Sequence, residues 1–254
     1  MEKEFQANRL KVKICSSREE LGKRAANDIS DAILKLLARK SEINIIFAAA
    51  PSQNEVLEQL ANDDRIDYSR INAFHMDEYI GLPKDAPQGF GNYLCAHLFD
   101  RCSFKSVHLI NGLAENIEEE CKRYGDLLTR YPADIVCMGI GENGHIAFND
   151  PSAADFSDQK IIKAVTLEEI CRRQQVHDGC FSSLADVPTQ ALTLTVPTLF
   201  HADYHFCMVP AKTKAQAVHD TIHGSIGEHC PASILRRAQN AVLYLDPDSS
   251  TLLK

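Results

Sequence analysis

The sequence predicts an α/β fold: a single Rossmann-like domain on a mostly parallel sheet with helices on both faces. Three observations predict it. Strand-length apolar runs alternate with helix-length amphipathic stretches through nearly all 254 residues, a pattern that sets parallel strands side by side with helical crossovers. Residues 43–50 are almost wholly apolar, as a strand covered on both faces must be. No low-complexity linker and no internal repeat breaks the pattern. The expected division is a tail over residues 1–9 and one domain over 10–254.

The elements follow in order. Residues 10–15 alternate apolar and polar with the period of a strand. Ser17 and Glu20 form a capping box, which opens a helix to about Arg39. The strand over 43–50 leads into a helix over 51–60, with Pro51 in the first turn, where its missing N–H costs nothing. Residues 71–76 make another strand, and a long loop carries Asp77 through Pro87. Helices over 91–101 and 117–130 flank a short strand at 107–110. The run Ala133-Asp134-Ile135-Val136-Cys137-Met138 reads as a buried strand bounded by turn residues. A polar stretch then ends in a strand at 161–165. Strands at 191–196, 204–209 and 241–245, with a helix over 212–223, complete the pattern.

Composition works by exclusion. A hydrophobic content of 44% and a charged content of 24% are ordinary for a soluble globular protein. No apolar run approaches the ~20 residues that a bilayer crossing needs, so no membrane partner is expected. The N-terminus lacks the charged-then-apolar layout of a secretion signal. Nine cysteines are scattered singly, with no Cys-x-x-Cys pair; they are expected as reduced thiols in a cytoplasmic protein. With 27 basic and 35 acidic residues the net charge is -8, which argues against a nucleic-acid partner. A homo-oligomer is left open. A small anion can still bind where backbone N–H groups and one or two cations converge. His201/His205 and His219/His223 are each four apart, but no third ligand completes a zinc pattern, so neither metal nor cofactor is expected.

Three loops stand at the C-terminal ends of predicted strands, where open α/β sheets carry their chemistry. Phe47-Ala48-Ala49-Ala50-Pro51-Ser52-Gln53-Asn54 leads small residues into a helix; its amides and the Ser52 hydroxyl can cradle a phosphate, although a capped helix start explains Ser52 equally well. Phe74-His75-Met76-Asp77-Glu78-Tyr79-Ile80-Gly81-Leu82 ends an apolar strand on two adjacent acids, which alone would read as a solvated turn. The third is Gly139-Ile140-Gly141-Glu142-Asn143-Gly144-His145-Ile146-Ala147-Phe148-Asn149-Asp150-Pro151. Its glycines let the backbone turn tightly against a ligand. An imidazole and a carboxylate follow within a few positions.

Together and in this order, the loops resemble the glucosamine-6-phosphate deaminase (isomerase) family. Leu109-Ile110-Asn111-Gly112, Val187-Pro188-Thr189-Gln190-Ala191-Leu192-Thr193 and Lys214-Ala215 add support, and the likeness runs from about Ile43 to the C-terminal Leu-Asp-Pro. It implies that an amino-sugar 6-phosphate is converted to a ketose 6-phosphate with release of ammonia. Within it His145 matches the ring-opening histidine, a role suited to a near-neutral imidazole. Asp77 matches the base that moves the C2 proton to C1, and Asp150 the acid that orients the histidine. Ser52, Gln53 and neighbouring amides would receive the phosphate, with Lys214 as its cation.

The chain departs from the family pattern in places. Asn143 stands where the best-known members carry Asp, and Asp150 where they carry Glu. Ala-Ala-Ala-Pro-Ser-Gln replaces a Thr-Gly-Gly-Thr-Pro loop. A further phosphate-binding arginine is expected near Cys171-Arg172-Arg173-Gln174-Gln175; the altered spacing there leaves open whether Arg172, Arg173 or neither serves, with Arg172 carried as the candidate. The allosteric arginine of some members has no clear counterpart around 158–163. Two rivals share the fold. A 6-phosphogluconolactonase typically continues Gly-His-Ala-Ser-Leu-Phe-Pro and lacks Met-Asp-Glu-Tyr. A sugar-phosphate sensor normally carries an N-terminal helix-turn-helix, whereas here the first strand is expected by about Leu10.

Overall fold

The computed structural model describes residues 3–253. Its main sheet has eight strands. These are β1 (Lys3–Ala7), β2 (Leu10–Ile14), β3 (Ile43–Phe47), β4 (Ile71–His75), β6 (Ser106–His108), β7 (Ile135–Met138), β10 (Tyr204–Val209) and β11 (Ala241–Leu245). They lie in the order β1-β2-β11-β10-β7-β3-β4-β6. Every neighbouring pair from β2 onward is parallel. Only β1 runs antiparallel, against β2. Residues 3–7, expected as tail, therefore form an edge strand. Lys3 and Glu4 disguise it, but Phe5 and Ala7 alternate onto the core, and Asn8, at φ +56°, makes the tight turn back to Leu10.

The sheet is buried on both faces because its strands are apolar at successive positions. Ile45, Phe47, Ala73, Ile135 and Cys137 pack on one side; Ile46, Phe74, Val136 and Met138 pack on the other. The first face is covered by α1 (Arg18–Leu37) and α2 (Asn54–Ala61) through Leu21, Ile29, Ile33, Val56 and Leu60. The second is covered by α4 (Ile117–Arg130) and α7 (Ala215–His223) through Tyr124, Leu128, Val218 and Ile222. As the capping box requires, Ser17 Oγ accepts the Glu20 N–H at 3.1 Å. The helix expected over 91–101 is α3 (Phe90–Leu94) continued by a wider turn over Cys95–Phe99. Two helices not anticipated, α5 (Glu169–His177) and α6 (Val196–Phe200), have one turn or little more of apolar signal each.

The larger departure is a second sheet. β5 (Asp77–Tyr79), β9 (Gln190–Leu194) and β8 (Ile162–Thr166) form a three-stranded antiparallel layer. Asp77, expected in a loop, instead sits in β5 opposite Thr193. A three-residue strand is too short to show a period, and only its pairing with β9 defines it. The same strand β9 holds the loop after β7. Phe148 N–H donates to Thr193 Oγ1 (3.0 Å), and Asn149 Nδ2 donates to the Leu194 carbonyl (2.8 Å). Leu194 N–H donates in turn to the Met76 carbonyl (2.8 Å).

All three bonds are buried, so removing one leaves an unpaired group. Thr193→Val keeps the shape but orphans the Phe148 N–H, which should destabilise the fold by about 1–3 kcal/mol. Urea unfolding measures it; an unchanged midpoint would show that the hydroxyl contributes nothing.

Candidate active site

From β3 the chain moves outward to β4, whereas from β7 it moves the opposite way, to β10. The two strands are neighbours, so a crevice opens between the loops at their C-terminal ends, the usual binding position in such sheets. Ala48–Ser52 line it from the β3 side, and Gly139, Gly141 and His145 from the β7 side. Asp77 enters from β5, and Lys214 from the turn after β10.

The β3 loop passes into a single 3₁₀ turn (Pro51–Gln53) and then α2. Gln53 does not face the crevice. Its buried amide donates to Ser52 Oγ at 2.9 Å and reaches the Met138 and Met208 carbonyls at 3.4 and 3.5 Å. The expectation that Gln53 binds phosphate directly is therefore corrected: it moors the loop to the ends of β7 and β10. Ser52 remains at the surface of the pocket.

The β7 loop closes on itself, with Gly141 N–H donating to the His145 carbonyl at 2.9 Å. A Cβ on Gly141 would lie 2.0 to 2.3 Å from three imidazole atoms, so the ring can lie on this backbone only because the residue is glycine. His145 Nδ1 is 2.7 Å from Asn143 Oδ1 and 3.1 Å from Asp150 Oδ1. Both partners accept, so Nδ1 carries the proton and Nε2 keeps its lone pair in the neutral ring. Asn143 also accepts the His145 backbone N–H (3.2 Å) and donates Nδ2 to Asp150 Oδ1 (2.9 Å). It meets both the histidine and the acid. Burial by itself would raise the Asp150 carboxyl, but the bond and charge of His145, with Asn143 and the Glu168 N–H, hold it below its usual value.

Asp77 has the opposite environment. Only 7% of its surface is exposed, and burial, with the charge of Glu78 beside it, pushes its carboxyl well above the usual range. Glu78 is raised by burial too, opposed by bonds it accepts from Gly91, Phe90 and Tyr79 N–H at 2.9 to 3.1 Å. Lys214 is likewise buried, and among the described residues its Nζ has no hydrogen-bond partner. Burial lowers its pKa, against the nearby charges of Asp178 and Glu142. An unpaired ammonium facing a crevice is placed to receive an anion. Ahead of it Ala211 holds φ +84° and ψ +146°, strained for any residue but glycine.

Arg172 is not part of the pocket, which corrects that expectation. Its guanidinium donates to the Leu184 and Val187 carbonyls at 2.7 and 2.8 Å, and Arg173 pairs with Glu169 on the outside of α5. Arg18, Gln174 and Asp178 line the pocket instead. None of the three carries a local signal of a ligand: Arg18 opens α1 behind its Ser17 cap, and Gln174 and Asp178 lie in and just after α5. His145, Asp150 and Cys171 bring possible metal-ligating atoms within 4.8 Å of one another. Burial, first, and the charges of Asp150 and Asp77 keep the Cys171 thiol protonated, and His145 Nδ1 is committed to its two acceptors, so these donors suit one another better than an ion. His205 bonds the Leu199 carbonyl and His219 pairs with Asp220.

The sequence profile of glucosamine-6-phosphate isomerases/6-phosphogluconolactonase matches residues 16–244. The chain is 34% identical over 208 residues to a glucosamine-6-phosphate deaminase of Streptococcus sanguinis (strain SK36), covering 82% of this chain and 86% of that one. It is 34% identical over 189 residues to one of Bacillus cereus (strain B4264), covering 74% and 70%. A solved monomeric glucosamine-6-phosphate deaminase superposes with a TM-score of 0.86 at 29% identity, covering 95% of this chain and 99% of that one. A 6-phosphogluconolactonase of Thermotoga maritima superposes at 0.76 with 20% identity, covering 92% and 98%, which shows a shared fold.

The raised Asp77 carboxyl has a consequence for stability. An acid whose pKa is raised on folding binds more protons folded than unfolded, so stability falls as pH rises from about 3.9 through the folded value. Asp77→Asn removes that loss. Its melting temperature should exceed the parent's at pH 8, and the gap should narrow towards pH 4. A gap independent of pH would show that Asp77 ionises without penalty.

Proposed function

The chain belongs to the glucosamine-6-phosphate isomerase/6-phosphogluconolactonase family, and we propose that it is an amino-sugar-6-phosphate deaminase. It takes glucosamine 6-phosphate, or its galactosamine epimer, and water to the ketose 6-phosphate and ammonia. One observation carries the reading. A buried carboxylate (Asp77), an imidazole held in one tautomer (His145) and an unpaired ammonium (Lys214) line a single pocket.

The chemistry follows from those groups. The pyranose must open first, and His145 Nε2 moves the proton between the ring oxygen and the anomeric hydroxyl. Asp150 and Asn143 hold the ring on its Nδ1 side. Asp77 then takes the C2 proton and returns it at C1, which leaves an imine at C2. Water adds there, and ammonia departs. The raised pKa of Asp77 suits this, since a base works best when its pKa lies near the operating pH. Lys214 and Ser52 hold the 6-phosphate. Every group comes from one chain, so no second copy is needed to complete the site. Nine cysteines scattered singly along the sequence, with no Cys-x-x-Cys pair, fit a cytoplasmic setting, and no described helix is long and apolar enough to cross a membrane. Lactone hydrolysis would need no base over C2, which argues for the deaminase over its lactonase rival.

Ammonia release from glucosamine 6-phosphate and galactosamine 6-phosphate, run beside hydrolysis of 6-phosphogluconolactone, tests the assignment. Asp77→Asn should cut turnover by at least ~10²-fold and stop exchange of the C2 proton with deuterium; exchange at the parent rate would remove Asp77 from this role. Asn143→Asp should act on the histidine, because a second carboxylate beside Asp150 favours the imidazolium. The acidic limb of the parent's pH–rate profile should then lie below that of the variant. Superimposable profiles between pH 5 and 9 would mean that Asn143 has no electrostatic hold on His145.

A further inference from the structure

We infer that Arg18 is the second cation of the phosphate subsite, acting with Lys214 in place of the arginine that the family pattern carries near residue 172. The inference rests on the deaminase reading for its substrate, but its geometry stands independently.

A sugar phosphate carries nearly two negative charges at neutral pH, and the described residues offer it few donors. Three alanines and a proline occupy the β3 loop, so it has no hydroxyl before Ser52 and no N–H at Pro51. Arg172 and Arg173 are occupied elsewhere. Among the described residues that line the pocket, the lysine and arginine side chains are Lys214 and Arg18. Lys214 is the independent sign of an anion: its Nζ is buried and unpaired.

Arg18 lines the same pocket. It opens α1 just beyond the end of β2. Its Nε donates to Glu55 Oε1 at 2.6 Å, and its Nη2 donates to the Pro51 carbonyl. The guanidinium thus lies on the phosphate loop itself, with Nη1 left without a partner among the described residues. One turn along α1, Gly22 explains how it gets there. A Cβ on Gly22 would fall 2.3 Å from Glu55 Cβ, so the two helices approach as closely as they do only at a glycine. That approach brings both Glu55 and the loop within reach of Arg18. Glu55 pairs with the guanidinium at Nε and orients its fork. The side chain stays 39% exposed, so it is open to an arriving anion.

The test compares Arg18→Met, Arg18→Lys and Lys214→Met with the parent, using inorganic phosphate as probe and glucosamine with and without its phosphate as substrates. Arg18→Met should weaken phosphate binding, measured by calorimetry, by about tenfold to a hundredfold, the worth of a charge-assisted contact. KM for glucosamine 6-phosphate should rise by the same factor with far less change in kcat. Preference for the phosphorylated substrate should fall in parallel, and Arg18→Lys should recover part of the loss. Phosphate affinity unchanged in Arg18→Met but lost in Lys214→Met would overturn the inference. So would equal losses on both substrates, since they would mean that Arg18 only supports the loop. If the parent releases no ammonia and Arg18 still governs phosphate affinity, the deaminase reading fails while this one stands.

Discussion

The site depends on one strand, β9, which is hydrogen-bonded to both of the loops that carry its reactive groups. Leu194 N–H bonds the Met76 carbonyl just before Asp77, while Thr193 and Leu194 receive donors from Phe148 and Asn149 just after His145. The two loops spring from β4 and β7, with β3 between them. Nothing in the main sheet would hold their tips at a constant separation. A third segment bonded to both does so, and its buried bonds are costly to break. The small antiparallel sheet is in this sense a brace laid across the mouth of the large parallel one.

Within that brace the charges are kept apart from their natural partners. Among the described residues, Asp77 and Glu78 are buried together with no cation bonded to either, and Lys214 is buried with no hydrogen-bond partner at Nζ. Burial opposes the charged form of each, only partly offset for Glu78 by the three N–H bonds that it accepts and for Lys214 by the nearby charges of Asp178 and Glu142. The two large apolar layers flanking the main sheet supply the stability that lets the site hold these groups unpaired. A substrate with a phosphate at one end and a hydrogen to be moved at the other would complement these groups. His145 is the contrast. Asn143 and Asp150 satisfy its Nδ1 fully, which leaves the other nitrogen for chemistry.

Much of this was legible in the residues. Near-continuous apolar runs announced the parallel sheet, and the glycines with His145 and Asp150 marked the loop after β7. What escaped is either too short to show a period or set by distant partners. β5 is three residues long and has no period of its own, so only its pairing with Thr193 places Asp77 in a strand. Gln53 and Arg172 have the polar side chains of phosphate ligands, yet each is spent on main-chain carbonyls within the fold. Arg18 appeared as no more than a helix-opening residue after its Ser17 cap, and is the arginine at the pocket.

The sequence by itself determined the elements, their α/β order and the three loops that bear chemistry, because each is written in local pattern: hydrophobic period, turn residues, caps and a contiguous motif. Only the tertiary structure decided which polar side chains meet. Arg18 lies 33 residues from the Pro51 carbonyl it bonds, and Phe148 lies 45 from Thr193. Such pairings are set by helix approach and strand register, which depend on packing across the whole core. A side chain's capacity to bind is therefore local, but its availability is not: it depends on which distant backbone groups reach it first.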